Sequence, residues 1–381
     1  NASIDVAGGK ILKYTGDAVS LGTSKLILQG AGTVTTRNAF NLNNASSELE
    51  ISAKGSVNKV SITADLNKGI SISESSTIST LTVGANAPVA ITIGKSLSGS
   101  VDINSGGTLK LTHKGTIASE VMLNGGTLDI NESLTSSGAY SLSANSTIDV
   151  ASAKTLTYSG TGLSLGSRTL TLMGAGSLSN TNTLTLNNAN SILKVVGTNT
   201  VSGPVALNAG RLDVDQTSTV TGTITQGGNA SIDVAGGKTL NYTGTAVSLG
   251  TGKLTLEGAG TLTSTNAFNL NNASSQLEIT AAGLVNKVSV TSNLNTGITI
   301  NESSTISTLT VGGTTPVAIA NGKSLSGTVS VNSGGTLKLT KTGTLASSVT
   351  LNGGILDIDE NMTSSGAYSL SANSTIDVAG G

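Results

Sequence analysis

The chain has 381 residues, with 20 Lys and Arg against 21 Asp and Glu, no Cys and no Trp. Aromatic residues make up 2% and charged residues 11% of it, so it lacks both the aromatic side chains of an ordinary globular core and the basic runs that nucleic-acid or anionic-membrane partners require. The absence of Cys excludes disulfide bonds and thiol chemistry, and no apolar run of about 18 residues predicts a membrane-crossing helix within this segment.

Repetition organises the whole chain. The phrase "NASIDVAGGK" opens it, and close variants start at Asn145, Asn229 and Asn373, after steps of 144, 84 and 144 residues. The two long stretches align without a gap and differ at 36 positions, so three quarters of their positions are identical. Such repetition is typical of a stacked array. The sequence therefore predicts one continuous rod made of a first long repeat (1–144), a short repeat (145–228) and a second long repeat (229–372), with 373–381 as the start of a further unit of a longer array.

A shorter period marks the predicted strands in chain order. Eleven steps cover the 228 residues from Leu21 to Leu249, or about 20.7 residues per step, with seven steps in a long repeat and four in the short one. The phrase "TGTITQGG" is irregular because it places Gln226 where the first long repeat has Leu142. The apolar residues that carry the period are Leu21, Leu42, Ile62, Val83, Ile103, Leu123, Leu142, Leu165, Leu186, Leu207 and Leu249.

Each period contains pieces of four to six residues in which apolar and polar side chains alternate, as in "TLKLT", "TLDIN", "TLTLM" and "SIDVA". Alternation with period two and many β-branched residues predict strands, and no segment sustains helical spacing. Gly and Asn separate the pieces, as in "LNGG" and "QGAG". Three short strands in about 21 residues describe one coil of a parallel β-helix, whereas left-handed hexapeptide forms favour about 18 residues. The sequence therefore predicts an all-β fold, a right-handed parallel β-helix (β-solenoid) of about 18 coils.

Residues that recur at one place in the period are predicted to stack on one another. Leu123 is predicted to point inward between Ile103 and Leu142. Asn residues follow the apolar positions and are predicted to hydrogen-bond along one corner; they are Asn43, Asn104, Asn124, Asn187, Asn208, Asn332 and Asn352. The aromatic residues are equivalent between repeats, so we interpret them as core or stack elements and not as a binding platform. They are Tyr14 with Tyr158 and Tyr242, Tyr140 with Tyr368, and Phe40 with Phe268.

Three phrases, "LNGGTLDI" at 123–130, "LNAGRLDV" at 207–214 and "LNGGILDI" at 351–358, carry a resemblance to known proteins. They resemble the short repeats of bacterial autotransporter and haemagglutinin-like passenger domains. The resemblance implies a right-handed β-helix on a secreted or surface-anchored bacterial protein. We therefore expect an extracellular or cell-surface location.

The residues for catalysis are few. His113 is the one histidine, and Lys341 replaces it in the second long repeat; with no Cys, this excludes transition-metal sites and Ser-His or Cys-His catalysis. We interpret His113 as an exposed strand residue. Paired carboxylates could serve glycoside hydrolysis, but no aromatic residue lies near them, Arg37 becomes Thr265 in the copy, and Arg168 lies in the short repeat. The candidates are Asp129 with Glu132, Asp213 with Asp215, and Asp357 with Asp359 and Glu360. We predict that the chain is not an enzyme.

Two further patterns resemble binding motifs but are incomplete. Asp357, Asp359 and Asn361 match the first half of a calcium loop, yet Met362 stands where such a loop needs Gly and Tyr368 where it needs Glu. The phrase "GAG" lacks the third glycine and the helix of a dinucleotide site, so we interpret it as a corner between strands; it occurs at Gly30–Gly32, Gly174–Gly176 and Gly258–Gly260. We therefore predict no catalytic, cofactor-binding or metal-binding residue, and no cofactor.

The two long repeats also differ in an informative way. Apolar residues exchange for apolar ones, as Val34 for Leu262 and Ile62 for Val290, whereas charges such as Lys13, Asp17 and others are discarded. Our hypothesis is a structural shaft of a large secreted or cell-surface bacterial protein, an adhesin stalk or an extracellular filament. It allows self-association, end to end or lateral, and cell-surface or matrix partners.

Two alternatives remain open. One is a carbohydrate-binding or polysaccharide-degrading β-helix. The other is ice binding, which needs aligned Thr-x-Thr pairs on every coil. The pair Thr169 and Thr171 is replaced by Lys25 and Ile27 in the first long repeat, so that face is interrupted.

Overall fold

The structure, a computed structural model, describes residues 1–379; Gly380 and Gly381, the last two residues of the predicted further unit 373–381, lie outside the described residues. The regular structure of residues 1–379 is all β, and the chain is a parallel β-solenoid of about 18 turns with roughly 21 residues per turn. The predicted fold class and period are therefore confirmed, and the right-handed sense stays a prediction.

The strands follow one another with short corners between them. The first long repeat contains β1 (Ala2–Asp5), β2 (Ile11–Tyr14), β3 (Val19–Ser20), β4 (Lys25–Gln29), β5 (Thr33–Thr36), β6 (Phe40–Leu42), β7 (Glu48–Ile51), β8 (Ser56–Ile62), β9 (Gly69–Ile72), β10 (Ser76–Val83), β11 (Asn86–Ile91), β12 (Ser96–Asn104), β13 (Thr108–Leu111), β14 (Thr116–Ile117), β15 (Glu120–Asn124), β16 (Thr127–Ile130), β17 (Leu134–Ser136) and β18 (Tyr140–Leu142). The short repeat contains β19 (Ser146–Val150), β20 (Thr155–Tyr158), β21 (Leu163–Ser164), β22 (Thr169–Gly174), β23 (Ser177–Asn180), β24 (Leu184–Leu186), β25 (Ile192–Val195), β26 (Thr200–Ser202), β27 (Val205–Leu207), β28 (Arg211–Val214), β29 (Ser218–Val220) and β30 (Ile224–Gln226). The remainder contains β31 (Ala230–Val234), β32 (Thr239–Tyr242), β33 (Val247–Leu249), β34 (Lys253–Glu257), β35 (Thr261–Ser264), β36 (Phe268–Leu270), β37 (Gln276–Ile279), β38 (Leu284–Val290), β39 (Gly297–Ile300), β40 (Ser304–Val311), β41 (Thr314–Ile319), β42 (Ser324–Asn332), β43 (Thr336–Leu339), β44 (Thr344–Leu345), β45 (Ser348–Asn352), β46 (Ile355–Ile358), β47 (Thr363–Ser364), β48 (Tyr368–Ala372) and β49 (Thr375–Val378).

The chain divides into two compact units, which are described separately. Unit 1 comprises residues 1–184 and 199–203, and unit 2 comprises residues 185–198 and those from 204 onward. In each unit the strands of successive turns pair in parallel, one track forming sheet A and the others sheet B. Sheet A is formed by β1, β4, β7, β9, β11, β13, β16, β19 and β22 in unit 1, and by β25, β28, β31, β34, β37, β39, β41, β43, β46 and β49 in unit 2.

The turns differ in length, yet their strands stay in register. One of the shorter turns brings Thr127 beside Thr108. A longer turn, at the start of the chain, brings Leu26 beside Ala2. Because side chains alternate between the two faces of a strand, pairing in register keeps apolar residues inside on every turn. The corners absorb the difference in length.

Some strands are longer than the four to six residues expected from the sequence. Strands β8, β10 and β12 have seven, eight and nine residues, because the chain bends there without losing its pairing. Gly99 permits one such bend: its φ is 110°, and a Cβ at this position would lie 1.8 Å from the carbonyl oxygen of Ile78. Gly327 and Ile306 repeat the arrangement in unit 2.

The predicted inward column forms the core. Leu123 is fully buried and pairs with Ile103 on one side and Leu142 on the other, as predicted. Leu142 itself is half-buried. The other fully buried members of the column include Leu42, Ile62, Val83, Leu186, Leu207 and Leu249.

Gln226 takes the inward place that Leu142 has in the first long repeat, and it is buried. Its Oε1 accepts a hydrogen bond from the Gly250 N–H at 3.0 Å, and its Nε2 donates to the Gly228 carbonyl. A buried polar group is tolerated when its hydrogen bonds are made. The amide therefore replaces an apolar contact by two bonds to the corner that follows.

Tyr158 and Tyr242 are core residues whose hydroxyl groups form hydrogen bonds with the backbone. The Tyr242 hydroxyl accepts a hydrogen bond from the Ile224 N–H at 3.1 Å and donates to the Thr245 carbonyl at 2.5 Å. Tyr158 makes the equivalent bonds in unit 1. The interpretation as core elements is confirmed for Tyr140, Tyr158, Tyr242, Phe40 and Phe268. Tyr14 and Tyr368 are partly exposed, because they lie in the first and last described turns and are covered from one side.

Candidate functional site

The single histidine stands apart from the other candidate residues. His113 is exposed, as predicted, but it lies in the bend between β13 and β14 and not in a strand, because the outward alternation ends at Leu111. Its Nδ1 lies 3.0 Å from Oγ1 of the adjacent Thr112. Within residues 1–379, no group of three or more His, Cys, Asp or Glu side chains could hold a metal ion. The prediction that the chain lacks functional site residues stays a prediction.

The carboxylates considered for catalysis form ion pairs with lysines of neighbouring turns. Six of the seven are placed in this way, and Glu360 is exposed in the corner after β46. For Glu132, the hydrogen bond from Lys154 lowers the pKa below its ordinary value, which is the opposite of what a general acid needs. The pairs are Asp129 with Lys110 (3.8 Å), Glu132 with Lys154 (2.9 Å), Asp213 and Asp215 with Lys194 (3.1 and 2.7 Å), and Asp357 and Asp359 with Lys338 (3.0 and 2.9 Å).

In the partial calcium motif, the ammonium group of a lysine takes the place of a calcium ion. The carboxylates of Asp357 and Asp359 converge on Lys338 Nζ, and the hydrogen bonds that Lys338 donates to Asp359 and to Asp357 raise the pKa of Lys338 above its ordinary value. Asn361 is exposed in the corner before β47. The charge that a calcium ion would supply is here supplied by an ammonium group.

Sequence analysis missed a recurring arrangement of charges on the outer face of sheet A. Three columns, which we call the acidic columns, each place one Lys and two Asp residues on successive turns. They are Lys110–Asp129–Asp149 in unit 1, and Lys194–Asp213–Asp233 and Lys338–Asp357–Asp377 in unit 2. In each column the first Asp pairs with the Lys and the second Asp lies beside the first. The signal was present in "LKL", "LDI" and "IDV", which are spaced by one turn, but it becomes visible only when the register is known.

The second Asp of a column packs over a glycine corner. At Gly174, whose φ is 78°, a Cβ would lie 2.6 Å from Asp149 Oδ1 and 2.1 Å from the Val150 carbonyl oxygen. Gly30 and Gly258 show the same crowding beneath Asp5 and Asp233. The interpretation of "GAG" as a corner between strands is therefore confirmed, and its first glycine makes room for a carboxylate and a carbonyl group.

Burial and repulsion act together on these aspartates. Burial raises the pKa of Asp149 above its ordinary value, and the negative charge of Asp129 raises it further. Burial also raises the pKa of Asp233; Arg211 opposes this, and Asp213 adds to it. Protonation of both groups is therefore easier in the folded chain than in the unfolded one.

Arg211 distinguishes the column of the short repeat. Its guanidinium lies 3.3 Å from Asp233, 3.6 Å from Glu257 and 3.6 Å from Asp213. It borders an open groove of about 450 Å³ in unit 2, together with Asn229 and other small residues. Three carboxylates balance its charge, so an anionic ligand would have to compete with them.

The predicted stacking of Asn side chains is confirmed for four of the seven residues, Asn104 with Asn124 and Asn332 with Asn352. Asn124 Nδ2 donates to Asn104 Oδ1 at 3.1 Å, and Ser143 Oγ donates to Asn124 Oδ1 at 2.8 Å. Asn352 Nδ2 donates to Asn332 Oδ1 at 3.3 Å. Each bond joins two successive turns, so the amides act as ties along the corner.

Ion pairs between turns recur in the two long repeats. Lys95 lies 2.7 Å from Glu74, and the equivalent residues Lys323 and Glu302 are 2.6 Å apart. The pair of Lys25 with Glu50 (2.6 Å) likewise has its counterpart in Lys253 and Glu278. Charges that survive in both copies therefore tie turns together.

Comparison with protein-family models, with curated proteins and with solved structures found no match for the chain. Over residues 1–379, the structure contains no helix with the length and apolarity needed to span a membrane. The chemistry of the described surface is therefore the basis for any functional proposal.

Proposed function

We propose that the chain is a structural segment, the repetitive shaft of a larger secreted or cell-surface bacterial protein, and not an enzyme. The observation that carries this proposal is where the 36 differences between the long repeats fall. Six of them lie at positions that are buried in both copies, and the other 30 involve an exposed or half-exposed residue. A duplicated chain that keeps its interior and varies its exterior has been held to a fold and not to a surface chemistry.

The buried differences preserve packing. Five of the six exchange residues of similar shape: Val34 with Leu262, Thr36 with Ser264, Ile62 with Val290, Ile103 with Val331, and Ile117 with Leu345. The sixth replaces Ala87 by Thr315, whose Oγ1 donates to the Gly313 carbonyl at 3.1 Å. The added hydroxyl is therefore paired and does not carry the cost of a lone buried polar group.

The exposed differences discard charge. They remove the charges of Lys13, Asp17, Arg37, Lys54, Lys68, Asp102 and Glu120 from the second long repeat. By contrast, the surviving charges include the acidic columns and the ion pairs that join turns. Most of these ties are retained, although Gln276 in place of Glu48 removes the pairs of Glu48 with Lys25 and Lys68, and this retention favours a mechanical role.

The resemblance to autotransporter and haemagglutinin-like passenger domains supports an extracellular bacterial setting, as an adhesin stalk or as part of a filament. Low charge and short outward side chains favour lateral contact with further copies or with matrix components. Both settings use the solenoid as a spacer that is lengthened by duplication.

Activity assays on the purified chain test the proposal. The chain should leave a panel of acidic and neutral polysaccharides unchanged, and electron microscopy should show thin rods or filaments. A lyase or hydrolase activity that is lost in Asp357→Asn or Glu360→Gln, while the fold is kept, would overturn the proposal.

One groove favours a second function, the binding of a neutral carbohydrate. It has a volume of about 310 Å³ in unit 2, with the apolar Leu284 beside hydroxyl side chains such as Thr261, Thr305 and Ser326. The first long repeat has Ser56 in place of Leu284. A glycan array would test this function: binding should be lost in Leu284→Asp and kept in Ser56→Asp.

A further inference from the structure

The acidic columns contain a contradiction that calls for an explanation. Like charges placed directly opposite each other on paired strands destabilise a sheet, and Asp149 lies in register with Asp129, as Asp233 does with Asp213. Exposed charges such as Lys13 and Asp17 are lost between the long repeats, yet this pairing occurs in unit 1 and again in unit 2. This recurrence indicates that the pair of like charges has a functional role.

The surroundings of Asp149 leave it poorly compensated. On one side, strand β16 places Asp129 beside Asp149. The lysine that pairs with Asp129 is Lys110, which lies on the turn beyond it, with its Nζ 3.8 Å from Asp129 Oδ2. On the other side β22 brings the uncharged Met173. Strand β15 contacts β19 near the first residue of β19, where the N–H of Gly125 donates a hydrogen bond to Ser146 Oγ. Lys154 and Glu132 form an ion pair with each other, in which Lys154 Nζ lies 2.9 Å from Glu132 Oε2.

Asp233 repeats the arrangement with more charges around it. Strand β28 brings Asp213 and Arg211, and strand β34 brings Glu257. One turn further away, Lys194 pairs with Asp213 and Asp215. The net charge of these side chains is negative, so the second Asp of this column also gains when a proton binds.

Each pair would behave as two carboxyl groups that share one proton. When the second Asp is protonated, its O–H can donate to the carboxylate of the first, and repulsion between the turns becomes a charge-assisted hydrogen bond. The raised pKa values of Asp149 and Asp233 agree with this geometry. An Asp in the unfolded chain has a pKa of about 3.9. Because the folded pKa is higher, the stability from these groups is fully present below about pH 3.9 and is lost as the pH rises through the folded pKa.

We infer that the stacked aspartate pairs, Asp129 with Asp149 and Asp213 with Asp233, are proton-dependent clamps that hold adjacent turns together more firmly in mild acid than at neutral pH. This inference goes beyond the structural function, and it does not depend on where the protein is located.

Replacing the second Asp by Asn tests the clamp, because the amide imitates the protonated acid at every pH. Asp149→Asn and Asp233→Asn should raise the urea midpoint of the full chain at about pH 7.5, and the gain should shrink as the pH falls and vanish at about pH 3, below the pKa of an unfolded Asp. The matched control is Asp102→Asn in unit 1, because Asp102 faces Thr82 and Met122 and no second Asp. Its difference from the parent chain should not change with pH.

The outcomes separate cleanly. If Asp149→Asn and Asp233→Asn shift the midpoint equally at both pH values, or lower it at neutral pH, the clamp is refuted. A second measurement covers a variant that folds poorly: carboxyl-carbon NMR of the parent chain should show Asp149 and Asp233 titrating above about 3.9, the pKa of an unfolded Asp. If adding calcium or EDTA at neutral pH reproduces the shift of the midpoint, a cation and not a proton joins the pair, and the inference fails.

Discussion

Leu123 offers the most direct test of the solenoid core. Its side chain is fully buried between Ile103 and Leu142, each on an adjacent turn. Leu123→Ala removes contacts on both sides, and neither neighbour can move without disturbing a further turn. We expect a cost of about 3–5 kcal/mol, the upper part of the range for buried Leu→Ala substitutions. Leu123→Asp should cost more, because it buries a charge without a partner.

Urea titration followed by far-UV circular dichroism measures the effect. With a dependence of about 1–3 kcal/mol per molar urea, the midpoint of Leu123→Ala should fall by about 1 M or more. The exposed Lys114 in the same turn supplies the control, since Lys114→Ala should change stability by no more than about 0.5 kcal/mol. Leu351→Ala, at the equivalent buried position of unit 2, should repeat the loss. If Lys114→Ala and Leu123→Ala behave alike, the assignment of the inward face is wrong.

Three further predictions concern single positions. Tyr242→Phe should cost about 1–3 kcal/mol, measured by thermal unfolding, because the buried Ile224 N–H and the Thr245 carbonyl lose the hydroxyl that pairs them; an unchanged melting temperature would contradict this. Gly99→Ala should prevent correct stacking, since its Cβ would lie 1.8 Å from the Ile78 carbonyl oxygen, whereas the same change at an open corner glycine should leave soluble, folded protein. The hydrogen bond from Lys25 lowers the pKa of Glu48, so the stability that Glu48 adds is present at neutral pH and is lost as the pH falls through the folded pKa. Glu48→Gln should therefore make stability depend less steeply on pH in the acid range. An unchanged dependence in that range would refute the pairing.

A deletion experiment probes how the turns stack. Deleting the short repeat, 145–228, joins Ala144 to Asn229 in the same register as the native junction of Ala144 with Asn145. Because stacked repeats depend on nearest-neighbour contacts, the shortened chain should fold. Deleting ten residues within one turn should instead misplace its strands. Equal solubility and equal circular dichroism for the two deletions would contradict this account.

The period and the inward residues could be predicted because they are local. Alternation along a strand shows which side chains of "TLKLT" share a face, and the recurrence of the phrase shows that the faces stack. The sequence also identified Gln226 as an irregular position, but not its two backbone hydrogen bonds, because Gly250 lies on the next turn.

The acidic columns could not be predicted because they depend on register between turns. The turn from Thr108 to Thr127 is shorter than the turn from Ala2 to Leu26, so counting a fixed period from Asp129 does not identify its neighbour. A shift of one residue would turn Asp149 to the other face of its strand. The ion pairs between turns have the same origin, since their partners lie far apart in the chain. Composition alone therefore suggested a chain with scattered charges.

The tolerance of the corners to different lengths makes unit 1 a molecular ruler for display. The corner at Ile93 and Gly94 projects into solvent, and its closing hydrogen bond runs from the Lys95 N–H to the Thr92 carbonyl. A peptide epitope inserted between Ile93 and Gly94 would leave the flanking strands β11 and β12 paired. A second epitope placed one turn later, beside Lys114, would stand about 4.8 Å further along the stack, the spacing of paired strands. Antigens or enzymes could thus be set at intervals that are chosen by counting turns.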